Sequence, residues 1–138
     1  MKDQIVKTLF INAAREIVWD YLIDKDKLGQ WFHAGQNTLE NGKPYNLLGD
    51  SGEPILGGDV LEMDPPSKLV YTFTHEWLGG KITTVTWELT EAYGGTRIFL
   101  THSGFDAADN AMEMLLSHDN GWEEHFARLR GILNPKED

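Results

Sequence analysis

The sequence predicts an α+β fold in which a curved antiparallel β-sheet wraps round one long C-terminal α-helix, with two short helices after the first strand. Three observations predict it. The middle of the chain alternates apolar and polar residues between glycine and proline turns, which is the two-residue period of strands. The last part repeats its apolar residues at helical spacing. Helical spacing also interrupts the strands once, directly after the first of them. The 138 residues are expected to form one domain.

The elements follow in order. Residues 3–12, "DQIVKTLFIN", alternate and are rich in β-branched residues, so they read as a strand. Residues 13–24, "AAREIVWDYLID", change period: Ile17, Val18, Tyr21 and Leu22 share a helical face, with Asn12 as the expected N-cap. Residues 24–32, "DKDKLGQWF", read as a second short helix ending on Trp31 and Phe32. Turn signals in "GQN" and "NGKP" lead to two strands, "YNLLGD" (45–50) and "EPILGGDVLEMD" (53–64), the second interrupted by Gly57 and Gly58. Pro65 and Pro66 mark a corner. Three strands then form a meander. Leu69, Tyr71, Phe73 and His75 point one way in the first, Val85, Trp87 and Leu89 in the second, and Ile98, Leu100 and His102 in the third. Gly94–Gly95 reads as the hairpin loop between the last two. From Asp106 to Leu133 the apolar phase of Leu115, Trp122, Phe126, Leu129 and Leu133 runs unbroken through Gly121 and predicts one helix of roughly 40 Å. Gly121 costs such a helix about 1 kcal/mol, which a bend or a close backbone approach would explain. Residues 134–138, "NPKED", are expected to fray.

Composition narrows the function. Twelve basic residues against twenty-two acidic ones give a net charge of −10, which disfavours nucleic acid and anionic membrane surfaces. No stretch approaches the ~20 apolar residues of a spanning helix, and no leader pattern opens the chain, so a cytoplasmic location is expected. With no cysteine there is neither a disulfide nor a thiol nucleophile. No phosphate loop, nucleophile elbow or metal-binding motif is present, and no cofactor is expected.

The stretches "VWDYLIDKDKLGQWF", "GGDVLEMDPPSKLVYTF", "VTWELTEAYGGTRIFLTHSGF" and "GWEEHFARL" follow one another as in the activator of heat-shock protein 90 ATPase homologue family, of the START-like (Bet v 1-like, SRPBCC) superfamily. The chain resembles that family over about residues 5 to 133. The resemblance implies a helix-grip fold and a cavity between sheet and last helix in which superfamily members bind hydrophobic small molecules. Some members carry out cyclase or hydrolase chemistry there. The eukaryotic chaperone activators carry a domain of this kind beside a separate N-terminal domain, for which these 138 residues are expected to leave no room. The implied functions are therefore a carrier or sensor of a small apolar or amphipathic molecule, a cofactor-free cyclase or hydrolase, and a chaperone-partner domain. The shared motifs are turns and packing residues, so the resemblance assigns no catalytic residue.

Candidate cavity-lining residues are those that the predicted faces aim at the space between sheet and helix. They are Trp31 and Phe32 from the helix pair, Tyr71, Phe73, His75, Trp87 and His102 from the meander, and His118, Trp122 and Phe126 from the last helix. His75 or His102 is the candidate acid or base. Neither pairs readily on a metal: His118 and His125 are two turns apart, about 10.5 Å, and His75 and His102 two strands apart, about 9.6 Å. The aromatic residues have an equally simple reading as core, which is preferred for Trp19. Glu62 is a buried carboxylate if Val60 faces inward and a solvated one if Leu61 and Met63 do. The irregular segments 33–58 and 104–112 are expected near the cavity mouth.

Overall fold

The computed structural model describes residues 4–134. Six strands form one curved antiparallel sheet in the order β1-β6-β5-β4-β3-β2. They are β1 (Ile5–Ile11), β2 (Pro44–Leu48), β3 (Pro54–Asp64), β4 (Lys68–His75), β5 (Thr83–Ala92) and β6 (Gly95–Ser103). Helices α1 (Arg15–Ile23) and α2 (Lys25–Trp31) follow β1, and α3 (Ala111–Leu133) ends the fold. The expected α+β helix-grip arrangement is the one observed. Leu69, Tyr71 and Phe73 of β4, Val85, Trp87 and Leu89 of β5, and Ile98, Leu100 and His102 of β6 are all buried on the concave face under α3. Alternation delivers this because each strand has only that face to shield from water.

Several local expectations need correction. The face of α1 is turned by one residue: Val18, Trp19 and Leu22 are buried while Ile17 is exposed, because the indole is the largest apolar group available to the core. Its N-cap is Ala14, without a side-chain bond, and Asn12 is not the cap. The backbone N–H of Asn12 instead donates to the side-chain oxygen of Asn134. Asn134 also donates to the Phe10 carbonyl at 3.0 Å, so the residue expected to begin the fray is fastened to β1. The rest of the expected tail, from Pro135, lies outside the described residues. By contrast, α2 has a strong start: the Asp24 carboxylate accepts from the N–H groups of Asp26 and Lys27.

The last helix is shorter than the periodicity suggests. It begins at Ala111, so its 23 residues span about 34 Å. Residues 105–107 form a separate 3-10 turn, which buries Phe105, and Ala108 is extended. The hairpin loop is Tyr93–Gly94, both at positive φ, and Gly95 already pairs with Ala92.

Gly57 and Gly58 do not interrupt β3. They let it run close to its neighbours: a Cβ on Gly58 would stand 2.2 Å from the Thr72 carbonyl oxygen, and one on Gly57 2.5 Å from that of Tyr45. A bulge at Leu61 then shifts the register between Val60 and Glu62. Val60 faces the core, yet Glu62 is solvent-exposed, 3.7 Å from Lys68. The extra residue resolves the question of Glu62 in a way that strict alternation excludes. On the far side, Lys7 of β1 bridges Asp119 at 2.8 Å and Glu123 at 2.6 Å, tying the sheet edge to α3.

Candidate functional site

The space between α3 and the sheet divides into a solid half and an open half. In the solid half Trp31, Trp87, Trp122 and Phe126 meet with ring centroids 5.6–6.4 Å apart. Each indole N–H has a partner. Trp31 donates to the Tyr21 carbonyl at 2.8 Å, Trp87 to the Tyr71 hydroxyl at 3.0 Å, and Trp122 to His102 Nδ1 at 3.0 Å. Large amphipathic rings become rigid core only when that polar edge is satisfied. Burial pushes the Tyr71 hydroxyl's pKa up, so it stays a neutral hydrogen-bonding group.

The open half is a cleft of about 760 Å³ beneath the first half of α3. Its floor and walls come from Phe73 and His75 at the end of β4, Phe32 and His33 after α2, residues 53–56 entering β3, and Met114, Ser117, His118, Gly121, Trp122 and His125 on α3. Glu76 and Trp77 stand at the rim, Trp77 largely exposed. Among the candidates, Phe32, Phe73, His75, His118 and Trp122 line this cleft. Trp31, Tyr71, Trp87, His102 and Phe126 do not; they lie in the packed interior. Segment 33–58 reaches the cleft through His33 and residues 53–56. Segment 104–112 does not line it, and backs it instead through Phe105, packed 4.5 Å from His102 and 5.1 Å from His118.

Gly121 was legible as an oddity but not as part of the site. A Cβ there would meet nothing within 4 Å, so neither close approach nor crowding accounts for it. The missing side chain faces the cleft and enlarges it.

All five histidines of the chain gather here: four line the cleft and His102 lies behind the Phe73–Trp122 wall. Hydrogen bonds set their protonation. His102 Nδ1 accepts from Trp122, so Nε2 carries the proton and donates to Thr83 Oγ1 at 2.8 Å; that hydroxyl donates onward to the Phe73 carbonyl at 2.6 Å. Both ring nitrogens are occupied, and burial followed by the nearby His118 and His75 holds the pKa of His102 well below its ordinary value. His102 is thus a neutral structural brace. His75 and His118 differ: their Nε2 atoms are 2.7 Å apart and their rings are stacked at 4.9 Å. Burial, then the neighbouring His118, brings the pKa of His75 down to about 4, and burial lowers that of His118. At the other end His33 and His125 sit 5.4 Å apart by ring centroid, and Arg128 donates to His125 Nδ1 at 2.8 Å. Burial leads there too, with His33 and Arg128 adding repulsion, and brings the pKa of His125 to about 4. The contact that forms is one that neither pairing anticipated: His75 and His118 meet across sheet and helix. Among the described residues no group of three or more His, Asp or Glu is placed to hold a metal ion. No described helix is long and apolar enough to cross a membrane.

A curved antiparallel sheet gripping a C-terminal helix, with a half-open cleft between them, defines a helix-grip protein of the START-like class. Within that class the chain belongs to the family described as Activator of Hsp90 ATPase homolog 1-like protein, whose profile matches residues 12–134. Among solved structures, CalU16 from Micromonospora echinospora is 25% identical with a TM-score of 0.79, the match covering 96% of this chain and 76% of that one. A protein from Mesorhizobium loti is 22% identical with a TM-score of 0.84, covering 99% and 100%. An Hsp90 activator from Plasmodium falciparum is 21% identical with a TM-score of 0.75, covering 97% and 99%. The last two likenesses show the fold alone. No curated protein matches the sequence.

Proposed function

We propose that this protein binds a small hydrophobic or amphipathic molecule in the cleft between α3 and the sheet, as a non-catalytic carrier or sensor. The observation that carries this reading is the cleft itself. Its 760 Å³ falls within the roughly 300–1,000 Å³ of small-molecule sites, and aromatic walls with a few polar groups suit one amphipathic guest. Trp122 and Trp77 line it, so occupancy alters intrinsic fluorescence. A titration with lipids, flavonoids and polyketides is expected to quench or shift the emission of the wild type. Gly121→Leu, which projects a side chain into open space, is expected to fold and lose the response. A silent wild type across the panel, or an undiminished response in Gly121→Leu, rejects the reading.

Two specific observations favour alternatives. His75 and His118 stand together in the cleft, which supports a cofactor-free cyclase or hydrolase acting at the same place. Turnover abolished by His75→Ala with folding intact is the mark of that case. Family membership supports a chaperone-partner role. That role requires faster ATP turnover by the chaperone at saturating protein.

A further inference from the structure

The bonds at the inner end of the cleft dictate what the His75–His118 pair offers a guest. His118 Nδ1 lies 2.7 Å from the Met114 carbonyl oxygen, which can only accept, so Nδ1 carries the hydrogen. In a neutral imidazole this leaves His118 Nε2 bare. His75 Nε2 sits 2.7 Å from that bare nitrogen and must supply the hydrogen between them. The one remaining nitrogen, His75 Nδ1, is therefore an acceptor. None of the hydrogen bonds among the described residues reaches it, yet no buried side-chain nitrogen or oxygen there lacks a partner. His75 Nδ1 is accordingly accessible, on a ring that lines the cleft.

We infer that the cleft recognises a flat conjugated molecule bearing a neutral hydroxyl, a phenol or an enol, and that His75 Nδ1 accepts the hydrogen bond from that hydroxyl. This rests on the cleft-binding reading above and deepens it. The walls beside the pair are faces and edges of rings: Phe73 stands edge-on to His75 at 5.8 Å, and Phe32 stacks on Trp122 at 5.2 Å. Planar guests can lie against the exposed parts of such ring surfaces. A bare nitrogen repels a carboxylate, and Glu53 and Glu76 in the lining of a protein of net charge −10 repel it further. His118 acts as a positioning residue, since its bond to Met114 selects which nitrogen His75 presents.

The test compares 7-hydroxycoumarin with 7-methoxycoumarin, read by fluorescence at about pH 6, where a phenolic hydroxyl is un-ionised. The wild type is expected to bind the hydroxyl compound roughly tenfold more tightly, the effect of satisfying one acceptor that the ether leaves unpaired. His75→Phe is expected to equalise the two by weakening only the hydroxyl compound. His75→Gln, whose amide oxygen accepts, is expected to keep most of the preference. Equal binding of both compounds by the wild type overturns the His75 assignment while leaving the cleft reading intact, and it needs no variant to fold. A preference that survives in His75→Phe overturns it too. Binding of neither compound overturns the inferred ligand class, and the wider panel then decides on the cleft.

Discussion

His102 shows how a residue that looks like a reagent can be a strut. Its two nitrogens are fixed between an indole N–H and a threonine hydroxyl, and it is fully buried. Replacing Trp122 by Phe keeps the ring packing but leaves His102 Nδ1 without its donor. The expected loss is about 1–3 kcal/mol in urea denaturation, the cost of orphaning one buried acceptor. Replacing both partners by apolar residues is expected to cost less than the sum of the single changes, which a double-mutant cycle reads directly. The sequence places His102 on the inner face of its strand correctly, because alternation is local. It cannot show that Trp122, twenty positions later on a helix, supplies the donor. For the same reason the contact between His75 and His118 is invisible to spacing arguments, which relate residues along one helix or across one sheet but not between the two.

At the scale of elements, strands were easier to read than their irregularities. Alternation located β4, β5 and β6 and their buried faces, since one sheet face must be shielded throughout. It could not register the bulge at Leu61, which breaks the period it relies on. Nor could periodicity place the start of α3, because Ala108 falls in the same sector as the helix's buried residues although its backbone is extended. Glycines in the two kinds of element have opposite meanings here. Gly58→Ala drives a methyl into the Thr72 carbonyl and is expected to destabilise the fold by about 2–4 kcal/mol, parting β3 from β4. Gly121→Ala meets no obstacle and is expected to stabilise it by up to about 1 kcal/mol, the helix-propensity difference. Chemical denaturation of the pair checks both signs.

Over the whole molecule, the five histidines impose a direction on the response to acid. All have pKa values lowered in the folded protein, with burial the first cause in each case. Below the ordinary histidine value near 6.5 the unfolded chain binds protons that the folded one refuses, so stability rises with pH through this window. It is greatest above about 6.5 and falls as the pH drops toward the value near 4 of His75 and His125. Melting at pH 5.5 rather than 7.5, still above the carboxylate range, is expected to come on the order of 5–10 °C lower. A melting temperature that is flat or higher at pH 5.5 contradicts this burial.

The division of the interior has a corollary. Rigidity is concentrated where the tryptophans interlock, whereas the open end is bordered by short or pliable groups such as Ser117, Met114 and Gly121. Substitutions at those border positions can reshape the cleft, while the interlocked end keeps the architecture unchanged.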